Sequence, residues 1–235
     1  MTGPTVAINE MEYPFEEGET ILSVARRNDI FIPTLCFLDG LSVVGSCRLC
    51  MVQVKGVKNP VAACSIIAYE GMEVYTDTEY LRENHRFKLE MLFAAGHHIC
   101  AACIANGHCE LQLMAQRLGV DFISLPHRGP MADVDMSHKR FGFDPNRCIL
   151  CTRCVRTCDE IEGAKVWQVM GSRREAHIAP NMGEPWGESE FCTTCGKCVQ
   201  SCPTGAIFDK YQSVGHMKKD CELLARLLHH REAGT

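Results

Sequence analysis

The stretch CILCTRCVRTC at residues 148–158 sets four thiols into eleven residues, more sulphur than a small core needs for packing. A second stretch, CTTCGKCVQSCP at 192–203, repeats the spacing. Cys148, Cys151 and Cys154 stand three apart and Cys158 comes after three more residues; Cys192, Cys195, Cys198 and Cys202 do the same, with Pro203 next. Zinc sites draw two ligands from each of two separated CxxC knuckles, which leaves the third in-phase cysteine of each copy without a role. Iron-sulphur chemistry uses it. Three thiolates at this spacing wrap one face of a four-iron cubane, and the fourth reaches the neighbouring cluster. The expected pairing is therefore crossed, with one cluster on Cys148, Cys151, Cys154 and Cys202 and another on Cys192, Cys195, Cys198 and Cys158.

This CxxCxxCxxxC run is that of bacterial ferredoxins. The flanks agree: GFDPNRCI leads into the first run, PTGAIFDK leaves the second with alternating apolar residues, and Val166, Trp167 and Val169 suit a strand between them, with Trp167 in the core. The first run departs from the pattern in having Asp159 where proline is usual. That change bears on the turn after the ligand rather than on the ligand.

The whole chain has 235 residues, 46% of them hydrophobic, and carries 24 Lys and Arg against 29 Asp and Glu, enough material for two or three small domains. Basic residues are scattered and outnumbered, so nucleic acid is not an expected partner. No apolar run approaches the roughly 20 residues that a spanning helix requires, and MTGPTVAINE lacks the pattern of an export signal, so neither membrane insertion nor a disulfide framework is expected and a cytoplasmic location is. Sixteen cysteines in such a chain point to metal or redox chemistry.

Residues 5–15, TVAINEMEYPF, read as a hairpin; Gly18 and Thr20 introduce helical spacing in ILSVARRN, and VQVKG, PVAACS and MEVYTD read as strands. Within this unit Cys36, Cys47, Cys50 and Cys64 are candidate ligands, and the small residues of GSCRLC let backbone amides approach sulphide. GETILSVARRNDIFIPTLC followed by GSCRLCMVQV resembles the plant-ferredoxin-type domain that opens the large iron-sulphur subunit of respiratory complex I. The gap from Cys36 to Cys47 is longer than the CxxxxC of plant ferredoxins and suits the complex I variety, which implies one two-iron cluster.

Residues 79–95 suit a helix with Leu81, Leu89, Leu92 and Phe93 apolar and Gly96 as its stop; the loop HHICAACIANGHC follows, and ELQLMAQRL resumes helical spacing through Leu111, Met114, Ala115 and Leu118. Cys100, Cys103 and Cys109 give CxxCxxxxxC. In complex I and many iron-only hydrogenases a similar pattern holds a four-iron cluster with a histidine as fourth ligand, four residues before the first cysteine. That position here is Gly96, so the resemblance leaves His97 or His98, and alternation in an extended segment favours His98. His85, His108, His127, His138, His177, His216, His229 and His230 read as solvated or hydrogen-bonded side chains. Replacing a thiolate by a neutral imidazole should raise a cluster's potential.

Fifteen cysteines are now grouped, leaving Cys221 on an apolar stripe with Val214, Met217, Leu224 and Leu228, a helix that covers its own domain or docks a partner. The expected fold is α+β: a plant-ferredoxin-like β-grasp domain (1–78), a small helical His/Cys cluster domain (79–135) and a bacterial ferredoxin-like domain for two four-iron clusters (136–235). One 2Fe-2S and three 4Fe-4S clusters with no nucleotide loop make an electron relay. The cluster set and length resemble the diaphorase small subunit of cytoplasmic NAD-reducing, bidirectional nickel-iron hydrogenases. That resemblance implies a flavin- and NAD-binding diaphorase subunit and the small and large nickel-iron hydrogenase subunits as partners, which would carry the FMN, NAD and nickel-iron sites. The alternatives are an electron-input fragment of complex I, an accessory subunit of another NADH-linked oxidoreductase, and a zinc-bound interaction scaffold.

Overall fold

The computed structural model describes residues 3–127 and 131–212; the expected helix around Cys221 lies outside them. The chain opens on the expected hairpin, β1 (Thr5–Ile8) and β2 (Met11–Pro14). Asn9 and Glu10 turn it with φ of 51° and 69°, the primed geometry whose twist matches the strands. Asn9 is held there by a bond from its Nδ2 to Thr76 Oγ1 (2.8 Å) and by Thr76 N donating to its Oδ1 (2.9 Å). Strands β3 (Met51–Val54), β4 (Val61–Ala62) and β5 (Glu73–Tyr75) complete a sheet of order β2-β1-β5-β3-β4, in which β1 and β5 run parallel. Helix α1 (Ile21–Arg27), capped by Thr20, lays Ile21, Leu22, Val24 and Ala25 on the inward residues Val6, Ile8, Val52 and Val74. Each such aliphatic side chain contributes about 1.5–3 kcal/mol by leaving water, so this unit holds its cysteine loop on a rigid base.

Helix α2 (Glu79–Ala94) starts at Thr78, whose hydroxyl accepts from Leu81 N, and buries Leu81, His85, Leu89 and Phe93 along one stripe. Gly96 is not its stop in the expected sense. Ala95 caps the helix in right-handed geometry, and Gly96 is glycine because a Cβ there would lie 2.6 Å from Asn146 O and 2.9 Å from His98 Nε2. Helix α3 (Glu110–Leu118) does end conventionally, at the left-handed Gly119.

In the last part β6 (Phe141–Phe143) pairs with β9 (Ile207–Asp209), and β7 (Trp167–Met170) pairs with β8 (His177–Pro180), a partner the spacing did not reveal. Short helices α4 (Arg153–Arg156) and α5 (Lys197–Ser201) carry the cysteine runs. After Cys158 the chain continues in a wide helical turn over Thr157–Glu162 before Gly163, because Asp159 keeps the amide that a proline would lack; Pro203 follows close on the end of α5. Trp186, fully buried, stacks on Phe141, lies tilted against His138 and meets Trp167 edge-on beneath the second run. A shared core of Leu35, Leu49, Leu89, Phe93, Leu111, Met114 and Ile149 joins all three parts.

Candidate metal centres

Cys36, Cys47, Cys50 and Cys64 are all buried at the sheet end of the first part and fall into two pairs. Cys50 Sγ lies 3.3 Å from Cys64 Sγ, and the Cys47 thiol hydrogen-bonds to Cys36. In each pair one sulphur accepts from the other: the bond from Cys47 pulls Cys36 down to about 5 and that from Cys50 lowers Cys64, while Cys47 and Cys50 are pushed up. Two pairs of donors suit two adjacent irons. The loop reaches this arrangement through left-handed Gly45 and Arg48.

His98, Cys100, Cys103 and Cys109 line one small cavity, together with Phe93, Arg147, Thr204 and Gly205. His98 Nε2 is buried and has no hydrogen-bond partner, whereas the ring also bonds to the Leu92 backbone. Burial lowers its pKa to about 4, which leaves a neutral ring, its Nε2 unbonded, on the cavity that the three thiols line. His97 turns away and stacks on His127 at 5.5 Å. The segment is not a strand. A 3₁₀ turn over Cys100–Ala102 follows Ile99, whose N donates to His97 O at 3.0 Å, and these tight turns, not strand alternation, put His98 and Cys100 on the same cavity.

The two runs line two further cavities. One takes Cys148, Cys151, Cys154 and Cys202; the other takes Cys192, Cys195, Cys198 and Cys158. Each run has left-handed residues at the same two places, Leu150 and Thr152 in the first and Thr194 and Gly196 in the second. For the three that are not glycine this costs roughly 1–2 kcal/mol apiece, strain that persists only where a site fixes the loop. The geometry turns amides inward: Leu150 N donates to Cys148 Sγ at 3.4 Å and Val166 N to Cys158 Sγ at 3.3 Å. Burial pushes Cys151 up to about 12 and raises Cys148, Cys154, Cys158 and Cys198 as well, so these thiols hold their protons until a metal displaces them.

Among the described residues no three His, Cys, Asp or Glu converge as a single ion requires. Zinc needs its thiolates near 2.3 Å from one point. The donors here instead surround volumes, and an orphaned imidazole nitrogen completes the set that has only three thiols, so the residues present fit multi-iron clusters.

Two residues that are not themselves candidate ligands tie the sites together. Arg153 and Arg156 are buried, three apart on α4. Arg153 donates to Glu110 Oε1 (2.8 Å), beside Cys109, and to Phe37 O (2.8 Å), beside Cys36. Sequence reasoning missed both; arginines inside a run whose cysteines must be buried were the available signal. None of the helices among the described residues is long and apolar enough to cross a membrane.

Residues 5–79 match the 2Fe-2S iron-sulfur cluster binding domain family, 86–124 the NADH-ubiquinone oxidoreductase-G iron-sulfur binding region, and 141–208 the ferredoxin-like domain of NADH-quinone oxidoreductase subunit 3. The chain is 33% identical over 216 residues to the NADP-reducing hydrogenase subunit HndD of Solidesulfovibrio fructosivorans, covering 87% of this chain but 36% of that protein. It is 35% identical over 205 residues to a G-type NADH-quinone oxidoreductase chain of Rhizobium meliloti, covering 86% and 23%. It thus spans about a third or less of those two relatives. Against the γ subunit of the NAD-reducing hydrogenase HoxS of Cupriavidus necator it is 32% identical over 196 residues, covering 83% of this chain and 82% of that subunit. A chain in the crystal structure of NAD+-reducing NiFe-hydrogenase in the H2-reduced state superposes with a TM-score of 0.83 at 33% identity, covering 89% of this chain and 88% of that one. With its 2Fe-2S and 4Fe-4S binding domains in the same order over most of both lengths, the chain belongs to the family of the γ subunit of NAD-reducing hydrogenase, which is related to the large iron-sulphur subunit of complex I.

Proposed function

We propose that the chain is the electron relay of a cytoplasmic NAD-reducing hydrogenase, joining an FMN- and NAD-binding diaphorase subunit to the small and large nickel-iron subunits, in the overall reaction H2 + NAD+ to NADH + H+. One observation carries it: fifteen cysteines and His98 are gathered into four separate sites, three of which contribute cysteines to one shared core. Cys36, Cys47, Cys50 and Cys64 would hold a 2Fe-2S cluster; His98, Cys100, Cys103 and Cys109 a 4Fe-4S cluster; and the two crossed sets the remaining two. When bound, such clusters take up and release single electrons. The chain's own residues keep the ligands spaced, exclude water and aim amides at sulphur. The chain is non-catalytic on this reading, with the flavin, nicotinamide and nickel sites on its partners. The domain limits that suit it are 1–78, 79–135 and 136–235.

The 35% identity to a complex I chain favours a second reading, the electron-input part of a quinone-reducing complex. Affinity purification of the full chain from its native cell separates them. A flavoprotein and a nickel-iron pair should come with it, and the preparation should carry about 14 irons per chain by the ligand rules. Recovery of a membrane-bound proton pump would favour the second reading, and a colourless zinc protein would refute both.

A further inference from the structure

Arg156 is 6% exposed, and among the described residues its bonding partners are three backbone carbonyls and one hydroxyl, with no carboxylate. Its Nη2 donates to Cys36 O at 2.6 Å and to Cys151 O at 3.1 Å, Nη1 to Ser42 O at 2.6 Å, and Nε to Thr152 Oγ1 at 3.3 Å. Arg153, equally buried, differs in having Glu110 as an ionic partner. A buried cation surrounded only by dipoles costs several kcal/mol unless a counter-charge completes it. Glu160, the carboxylate that acts on it, is exposed and screened by solvent, so the buried counter-charge comes from the two ligand groups it touches, one beginning with Cys36 and the other containing Cys151.

We propose that Arg156 is a shared counter-ion that sets the reduction potentials of two neighbouring centres together, the one held by Cys36, Cys47, Cys50 and Cys64 and the one held by Cys148, Cys151, Cys154 and Cys202. This rests on the reading that both are iron-sulphur clusters. Thiolate-ligated clusters are anionic, and reduction of either centre places one electron on iron and adds one negative charge. A fixed cation favours that extra charge and raises the potential. Because one guanidinium nitrogen bonds the peptides of both ligand groups, both potentials rise, and neither centre becomes a trap for the other's electron. The planar fork lets one group hold the two carbonyls and Ser42 together, while the positive charge, which a lysine would keep, is what acts on both potentials. Glu160 opposes it. This exposed carboxylate accepts from Ser42 N at 2.8 Å and from Ser42 Oγ, behind the carbonyl that Arg156 holds, and it favours the Arg156 charge whereas Arg153 disfavours it.

The test is a dithionite titration of the purified holoenzyme, followed by electron paramagnetic resonance, for wild type, Arg156→Gln and Arg156→Lys, each checked for iron. At the wild-type midpoints Arg156→Gln should lower the reduced-to-oxidised ratio of the two-iron centre and of one four-iron centre about tenfold, which is 59 mV for a one-electron couple. The other two four-iron centres should hold theirs, and Arg156→Lys should retain most of both values. Full iron with one or neither centre moved overturns the proposal, as does an equal shift in Arg156→Lys. Should Arg156→Gln fail to assemble, Glu160→Gln decides: both potentials should rise, by less because solvent screens an exposed charge, and no rise overturns the proposal. A wild type without iron refutes the cluster reading instead.

Discussion

Gly205 tests how closely the ferredoxin-like part braces the middle centre. Its backbone is not in the left-handed region, so alanine is conformationally acceptable there, and the effect of Gly205→Ala is one of packing. The added Cβ would lie 2.8 Å from Cys103 Sγ and 3.0 Å from Ala105 Cβ, each several tenths of an ångström inside normal contact. Overpacking of this size costs about 1–3 kcal/mol. Without metal the Cys103 side chain can rotate away and relieve most of it. With a cluster bound the sulphur is fixed, so the cost falls on the loaded state and weakens retention of the cluster by about 5- to 150-fold. The assay is loss of each spectroscopic signal from the anaerobic protein under a chelator, with the other three centres as internal standards. The middle signal should disappear first by that factor. A wild-type lifetime for that signal would refute the reasoning, and equal loss of all four would show general unfolding rather than pressure on one ligand.

His98→Ala should abolish or strongly alter the middle four-iron signal, whereas His97→Ala should leave its spectrum unchanged, since His97 stacks on His127 and does not line the cavity; a spectrum unaffected by His98→Ala would refute the assignment. His85 is held neutral by burial, so its folded pKa lies below that of the unfolded chain. The unfolded state therefore takes the proton first, and stability contributed by the neutral ring is lost as pH falls through about 6.5 and below, with a slope of at most about 1.36 kcal/mol per pH unit. Comparing thermal unfolding of wild type and His85→Gln between pH 7.5 and 5.5 should show a shallower fall in the variant, and identical slopes would refute it.

Much of the arrangement was legible from local signals. The hairpin at 5–15, the helix start at Thr20, and the strands flanking the cysteine runs appear where turn chemistry and alternation placed them, because those signals act over a few residues. Strand β8 and Trp186 were not legible. Strand β8 pairs with nearby β7 but has no apolar alternation of its own to mark it, three of its four residues being buried, and Trp186 is stabilised by Phe141 and Trp167, distant in the chain. Gly96 shows the limit most clearly: its identity suggested a helix stop, but the cause is the approach of Asn146 from fifty residues away.

By itself the sequence determined the ligand spacings, since CxxC places two thiols within one turn whatever surrounds them, and the pairing of two equal runs followed from that repetition. Only the tertiary structure decided which of two adjacent histidines faces the thiols and which arginine joins which sites. Those outcomes depend on contacts such as Arg156 to Cys36, 120 residues apart. Such a contact forms only when burial of the shared core brings the three parts together, and no local preference encodes it.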